Sequence, residues 1–202
     1  MSFVSESVPL EDVVVVVPQA YRDERGFFME TFRSDEFEKL GLPNKFVQDN
    51  HSCSRKGVIR GLHFQWDPPM GKLMRVTAGA AFLVAVDIRK GSPTLGKWVG
   101  VEASAENMKQ VWAPAGFARG FCALTENTEV QYKCTAIYNS KAESAIRWDD
   151  PDIGIKWPLK NVLLSKKDME AKTLKEWLSF PNSEHFAYTP PANSKRSLDS
   201  VG

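Results

Sequence analysis

Between Phe46 and Gln65 the chain runs Phe-Val-Gln-Asp-Asn-His-Ser-Cys-Ser-Arg-Lys-Gly-Val-Ile-Arg-Gly-Leu-His-Phe-Gln, which places Gln48, Asn50, His51, Arg60 and His63 close together on alternating ground closed by glycines. Polar side chains spaced by two share one face of a strand, so Arg60-Gly-Leu-His63 reads as the wall of a pocket. The chain has three histidines, and His63 stands between Leu62 and Phe64. With an unperturbed pKa of roughly 6.5, histidine exchanges protons at neutral pH, which makes His63 a candidate general base. The ordinary alternative is a core histidine held by a hydrogen bond; Arg60, Gln48 and Asn50 nearby suit an anion better than a core. A base needs an orienting partner on its second ring nitrogen, and Asp168 of Leu164-Ser-Lys-Lys-Asp168 supplies one if the C-terminal segment folds back over the pocket.

Other candidates are distributed along the chain. Period two puts Val130, Tyr132 and Cys134 on one strand face, so Tyr132 is either a proton donor or a core tyrosine. Lys72, lowered into a barrel mouth, would stabilise a developing enolate; on an exposed edge it would be a solvated charge. Arg25 and Arg119 have the chemistry to hold phosphate oxygens bidentately. Trp98, Trp112, Trp148 and Trp157 read as core or rim packing. A His-x-His metal pair is absent, because the stretch that would hold it reads His63-Phe-Gln65, and no metal or cofactor is expected.

These side chains need a rigid frame, and the pattern offers one made of strands. Val13–Val17 ends at Pro18, and Arg25–Phe32 follows as a second strand. A short helix is expected over Ser34–Gly41, with Ser34 as N-cap and Gly41 as the stop. From Leu73 to Arg147 short strands (73–76, 80–88, 97–102, 109–112, 120–124, 129–138, 145–147) alternate with Gly, Pro and Asn turns, as in a sandwich or jelly roll. A helix returns over Lys166–Leu178. We expect a single all-β domain over residues 1–180 and a loosely ordered tail over 181–202.

Composition narrows the functional class. A 202-residue chain can bury a core unaided, and its net charge of +1 disfavours a nucleic-acid surface. Three cysteines in no zinc spacing suggest reduced thiols. No apolar run approaches the roughly 20 residues of a membrane helix, so a soluble cytoplasmic protein without membrane attachment is expected.

Several motifs, in order, resemble the dTDP-4-dehydrorhamnose 3,5-epimerase family. They are Asp23-Glu-Arg-Gly-Phe-Phe-Met-Glu30, Phe46–Ser52, Val58–Gln65, Gly71-Lys-Leu-Met-Arg-Val76, Val86–Pro93, Val111–Phe121, Tyr132-Lys133, Trp148-Asp-Asp150 and Leu164–Asp168. The resemblance implies a cupin-type double-stranded β-helix, metal-free and homodimeric, acting on dTDP-4-dehydro-6-deoxy-D-glucose. It implies His63 as base, Asp168 as its partner and Tyr132 as proton donor, with substrate contacts from Arg25, Glu30, Gln48, Asn50, Arg60, Lys72, Glu143 and Lys167. The family often carries His where this chain has Arg119, which still binds anions but cannot carry a proton at neutral pH. Competing readings are a single-site 3- or 5-epimerase on this or another 4-keto nucleotide sugar, a non-catalytic sugar-nucleotide-binding jelly roll, and a metal-dependent cupin oxygenase. The non-catalytic module would not need His63, Asp168 and Tyr132 together.

Overall fold

The computed structural model describes residues 2–190. Its strands are β1 (Phe3–Ser7), β2 (Val14–Pro18), β3 (Ala20–Asp23), β4 (Gly26–Met29), β5 (Gln48–Ser54), β6 (Ile59–Gln65), β7 (Lys72–Ala78), β8 (Ala80–Asp87), β9 (Trp98–Ser104), β10 (Gln110–Ala113), β11 (Phe117–Ala123), β12 (Thr128–Cys134) and β13 (Glu143–Ala145). Three short helices, α1 (Ser34–Lys39), α2 (Lys166–Met169) and α3 (Leu174–Ser179), precede a 3-10 turn over Pro181–Phe186. A six-stranded sheet in the order β1-β2-β10-β7-β12-β5 faces a five-stranded sheet in the order β13-β6-β11-β8-β9. The described fold is an all-β jelly roll of the cupin type.

Strand alternation explains how the layers close. Met74, Val76, Val111 and Val130 of one sheet meet Leu83, Ala85, Phe117 and Phe121 of the other in the central core. The opposite-parity residues Leu62, Phe64, Val84 and Val86 point out of the five-stranded sheet and are covered by Ile146, Leu174, Trp177 and Phe186. Leu73, Val16 and Trp112 point out of the six-stranded sheet and are covered by Phe37 and Leu42 around α1. Both sheets are therefore apolar on two faces, and the helices exist mainly to cover the outer ones.

The differences from the sequence pattern have local causes. The expected strand over Arg25–Phe32 shrinks to β4, which pairs only with β3 in a separate hairpin whose turn holds Arg25. Helix α1 begins at Ser34 itself, so Arg33 occupies the N-cap without a side-chain cap bond; Gly41 ends it at φ +70°, a conformation suited to glycine. The expected C-terminal helix divides into α2 and α3, because Thr173 and Glu176 form a capping box that starts a new helix and Lys172 bridges to Ile146 just before it. Strand β12 stops at Cys134 rather than Tyr138, and the last short strand lies at 143–145 rather than 145–147.

The loose tail expected from Pro181 is corrected for residues 181–190. Phe186 is buried and stands 6.0 Å from the Phe64 ring, and the Tyr188 amide donates to the Lys90 carbonyl. Apolar anchors spaced among polar residues hid this packing. The remainder of the tail, 191–202, lies outside the described residues.

Candidate active site

Arg60 and His63 are three residues apart, so a regular strand would put them on opposite faces. They share one because β6 bulges against β11. Arg119 pairs with His63 and Phe121 with Arg60, leaving Gly61 and Leu62 opposite Gly120 alone. The backbones touch at this point: a Cβ on Gly61 would lie 2.5 Å from the Gly120 Cα, and one on Gly120 2.6 Å from the Arg60 carbonyl oxygen. Gly61 also holds φ +143°, which L side chains rarely adopt. The two glycines thus convert a core strand into one that turns two polar side chains inward.

The bulge opens onto a cavity of about 260 Å³ between the sheets. Lys72 (β7), Tyr132 (β12) and Ser52 (β5) line it from the six-stranded sheet. Arg60 and His63 (β6), Arg119 (β11) and Glu143 (β13) line it from the five-stranded sheet. Gln48 and Asn50 share the Ser52 face of β5, and the Gln48 amide donates to Asn50 Oδ1 at 3.0 Å. Asn50 sits opposite Tyr132 in the β5–β12 register. A shallower groove lined by Arg55, Arg60, Lys167 and Asp168 continues from His63.

His63 Nε2 lies 2.6 Å from Asp168 Oδ1, so the C-terminal segment does fold back. Backbone bonds between Gly57–Ile59 and Leu163 tie it to the start of β6. Ser165 caps α2 through the Asp168 amide, and its hydroxyl donates to Asp168 Oδ2 at 2.7 Å. Burial opposes the charge on Asp168, but His63 and Ser165 outweigh it and hold the carboxyl below its usual pKa. A carboxylate only accepts, so Nε2 carries the proton and the lone pair of Nδ1 is the basic one.

The other titratable groups are poised by burial. Lys72 is pushed down to about 8, first by burial and then by Arg119; its ammonium lies 4.9 Å from the centre of the Tyr132 ring. Burial raises the Tyr132 phenol, keeping it a donor at neutral pH. Burial also works against the charge on Glu143, yet Lys167 and the Tyr138 hydroxyl hold its carboxyl below the usual range. Arg60 reaches the Ser54 hydroxyl at 3.1 Å.

The structure thus gathers His63, Asp168, Tyr132, Arg60, Lys72, Arg119, Glu143 and Lys167, with Gln48 and Asn50 on the same inner face of β5. It does not gather Arg25 or Glu30. Arg25 is exposed at the hairpin turn and paired with Asp23, while Glu30 pairs with Arg33 at 3.5 Å. His51 faces outward to Glu129. Ser165 and Tyr138 were missed, Ser165 because it is recognisable only as an N-cap. For Ser165→Ala we expect kcat to fall about tenfold with KM nearly unchanged, the loss of one orienting hydrogen bond of about 1.5 kcal/mol. Steady-state kinetics would show it, and an unchanged kcat would remove Ser165 from the site.

An imidazole with its own carboxylate faces a phenol across a small cavity between the two sheets of a cupin-type jelly roll. The family model described as dTDP-4-dehydrorhamnose 3,5-epimerase matches residues 7–176. The Neisseria gonorrhoeae protein of that name is 52% identical over 180 residues, 87% of this chain but only 55% of that longer protein. The Methanothermobacter thermautotrophicus protein of the same name is 51% identical over 170 residues, 83% of this chain and 92% of its own. The crystal structure of dTDP-6-deoxy-D-glucose-3,5-epimerase from Legionella pneumophila, in complex with dTDP-4-keto-L-rhamnose, superposes with a TM-score of 0.86 at 44% identity, covering 93% of this chain and 98% of that one.

The chain belongs to the dTDP-4-dehydrorhamnose 3,5-epimerase family. It is an enzyme of the isomerase class.

Proposed function

We propose that the enzyme epimerises C3 and C5 of dTDP-4-dehydro-6-deoxy-D-glucose, giving dTDP-4-dehydro-L-rhamnose. The observation that carries this reading is that His63 and Tyr132 stand on opposite sheets across one cavity. Inversion requires proton removal from one face of a carbon and delivery to the other. The C4 ketone acidifies the hydrogens on C3 and C5, because the carbanion delocalises onto oxygen. His63 Nδ1 takes the proton, and Asp168 stabilises the imidazolium. Lys72 holds the enolate oxygen, and the Tyr132 phenol returns a proton from the far side. The imidazolium then loses its proton to solvent, and the phenolate takes one up, so the pair is reset for the second carbon. Arg60 at the rim, with Lys167, suits the diphosphate, whose binding energy holds the sugar in place.

Incubation of the 4-keto substrate in deuterium oxide, with a nicotinamide-dependent rhamnose-forming reductase to trap product, tests this by proton NMR. Deuterium at C3 and C5 with trapping is expected. Exchange at one carbon would establish a single-site epimerase, and exchange at neither would overturn the assignment.

Lys72 adds a pH signature. It is cationic below its pKa and neutral above it, so kcat/KM should decline as pH rises through about 8. A profile flat to pH 10 would exclude Lys72 as the oxyanion cation.

The proposal extends to a cytoplasmic homodimer. The three cysteines are unpaired, as suits a reducing compartment, and among the described residues no helix is long and apolar enough to cross a membrane. The hairpin exposes Tyr21 and Phe28, paired on one of its faces, and Phe27 on the other, apolar surface that a second copy would cover. Across such an interface Arg25 and Glu30 could still reach a nucleotide. Sedimentation analysis would report the dimer.

A further inference from the structure

Arg119 is 3% exposed on the fully buried strand β11, between Phe117 and Phe121 on the inner face. Its Nε and Nη2 are buried with no hydrogen-bond partner, and Nη1 reaches only the Ala113 carbonyl at 3.4 Å. The guanidinium lines the cavity beside Lys72, close enough to lower that ammonium's pKa, and stands opposite His63 in the strand register. The carboxylate on the cavity wall, Glu143, is already held by Lys167 and Tyr138. The cavity floor therefore carries two cations and no free counter-charge among the described residues. An unpaired charge kept in such a place is strongly destabilising, unless a ligand supplies the missing anion.

Two kinds of anionic oxygen are available on the substrate, those of the diphosphate and that of the developing enolate. Depth separates them. Arg60, partly open to solvent, stands at the rim where a diphosphate would lie. Arg119 is at the floor, beside the base and the cation that face the sugar. We propose that Arg119 is a second oxyanion donor, its guanidinium meeting the C4 oxygen of the bound 4-keto sugar together with Lys72. The inference rests on the epimerase reading above and assigns to Arg119 a role in the reaction rather than in phosphate binding.

The test separates kcat from nucleotide affinity. Arg119→Met should lower the deuterium exchange rate at saturating substrate by about 10²–10³-fold, while the dissociation constant for dTDP changes less than about threefold, because its diphosphate is held elsewhere. Arg119→Lys, which keeps a cation, should recover part of the rate. Weakened dTDP binding with an unchanged rate would assign Arg119 to the diphosphate, and no change in either would make it structural; both overturn the proposal. Should neither variant fold, a crystal structure of the unaltered enzyme with dTDP-L-rhamnose decides. A guanidinium nitrogen within hydrogen-bond reach of the sugar O4 supports the assignment, and one on a phosphate oxygen overturns it. Absence of exchange by the unaltered enzyme would remove the epimerase reading itself, and with it this role.

Discussion

His63→Ala is expected to lower exchange at C3 and C5 together by about 10³–10⁴-fold, the upper part of what a positioned general base contributes. In the proposed mechanism one imidazole serves both carbons, so the losses should run in parallel. The upper range applies because removing His63 also strands its orienting carboxylate, and the cavity holds no second imidazole. The fold should survive. His63 is part-exposed, and the Asp168 carboxylate keeps the Ser165 hydroxyl as a donor, so the loss of stability should be about 1–3 kcal/mol. Thermal unfolding together with NMR exchange measures both quantities. A folded variant with near-normal exchange at either carbon would remove His63 as the base for that carbon.

Gly120→Ala should be strongly damaging, although Gly120 carries no chemistry. The new Cβ would be 2.6 Å from the Arg60 carbonyl oxygen, 2.9 Å from the Gly61 Cα and 3.2 Å from Leu62 Cδ2. Two of these are backbone atoms held in sheet hydrogen bonds, so neither strand can yield without breaking the register. Overpacking of this kind costs about 3 kcal/mol, which for a chain of this size lowers Tm by roughly 6–12 °C. The larger effect should be on activity, because flattening the bulge turns either Arg60 or His63 away from the cavity. Calorimetry and the exchange assay would detect both losses, and a fully active, stable Gly120→Ala enzyme would show that the bulge is not required.

These two positions show what could and could not be read from the sequence. Parity alone gave the face of Tyr132, because β12 is regular and the alternation of Val130, Tyr132 and Cys134 survives intact, but it did not distinguish a proton donor from a core tyrosine. The same rule fails between Arg60 and His63. Their pairing on one face depends on two glycines from different strands meeting, and nothing local to either segment encodes that contact. Asp168 lies 105 residues from His63, so its arrival depends on the docking of Leu163 and Trp177, which is tertiary information. The strands were legible because burial on both faces makes them strongly apolar. The division of the last helix was not, since a capping box of Thr173 and Glu176 resembles any polar helical surface until Thr173 is seen outside the helix. Arg25 was expected at the site from its phosphate-binding chemistry and the resemblance, Glu30 through the resemblance alone, and within one chain the hairpin holds both away from it.

The return of the C-terminal segment also has a consequence for synthesis. His63 and Asp168 are 105 residues apart, and the arm carrying Asp168 is held by Leu163 at the start of β6 and by Trp177 and Phe186 on its outer face. At the usual rate of roughly 5–20 residues per second, His63 leaves the ribosome about 5–20 s before its partner. Strands β7 to β13 are made within that interval, so the last strand is complete before Asp168 arrives and His63 stands without its partner until the arm docks. On the proposed mechanism activity is therefore switched on late, and a chain broken off before Ser165 would contain every strand of both sheets but no carboxylate for His63.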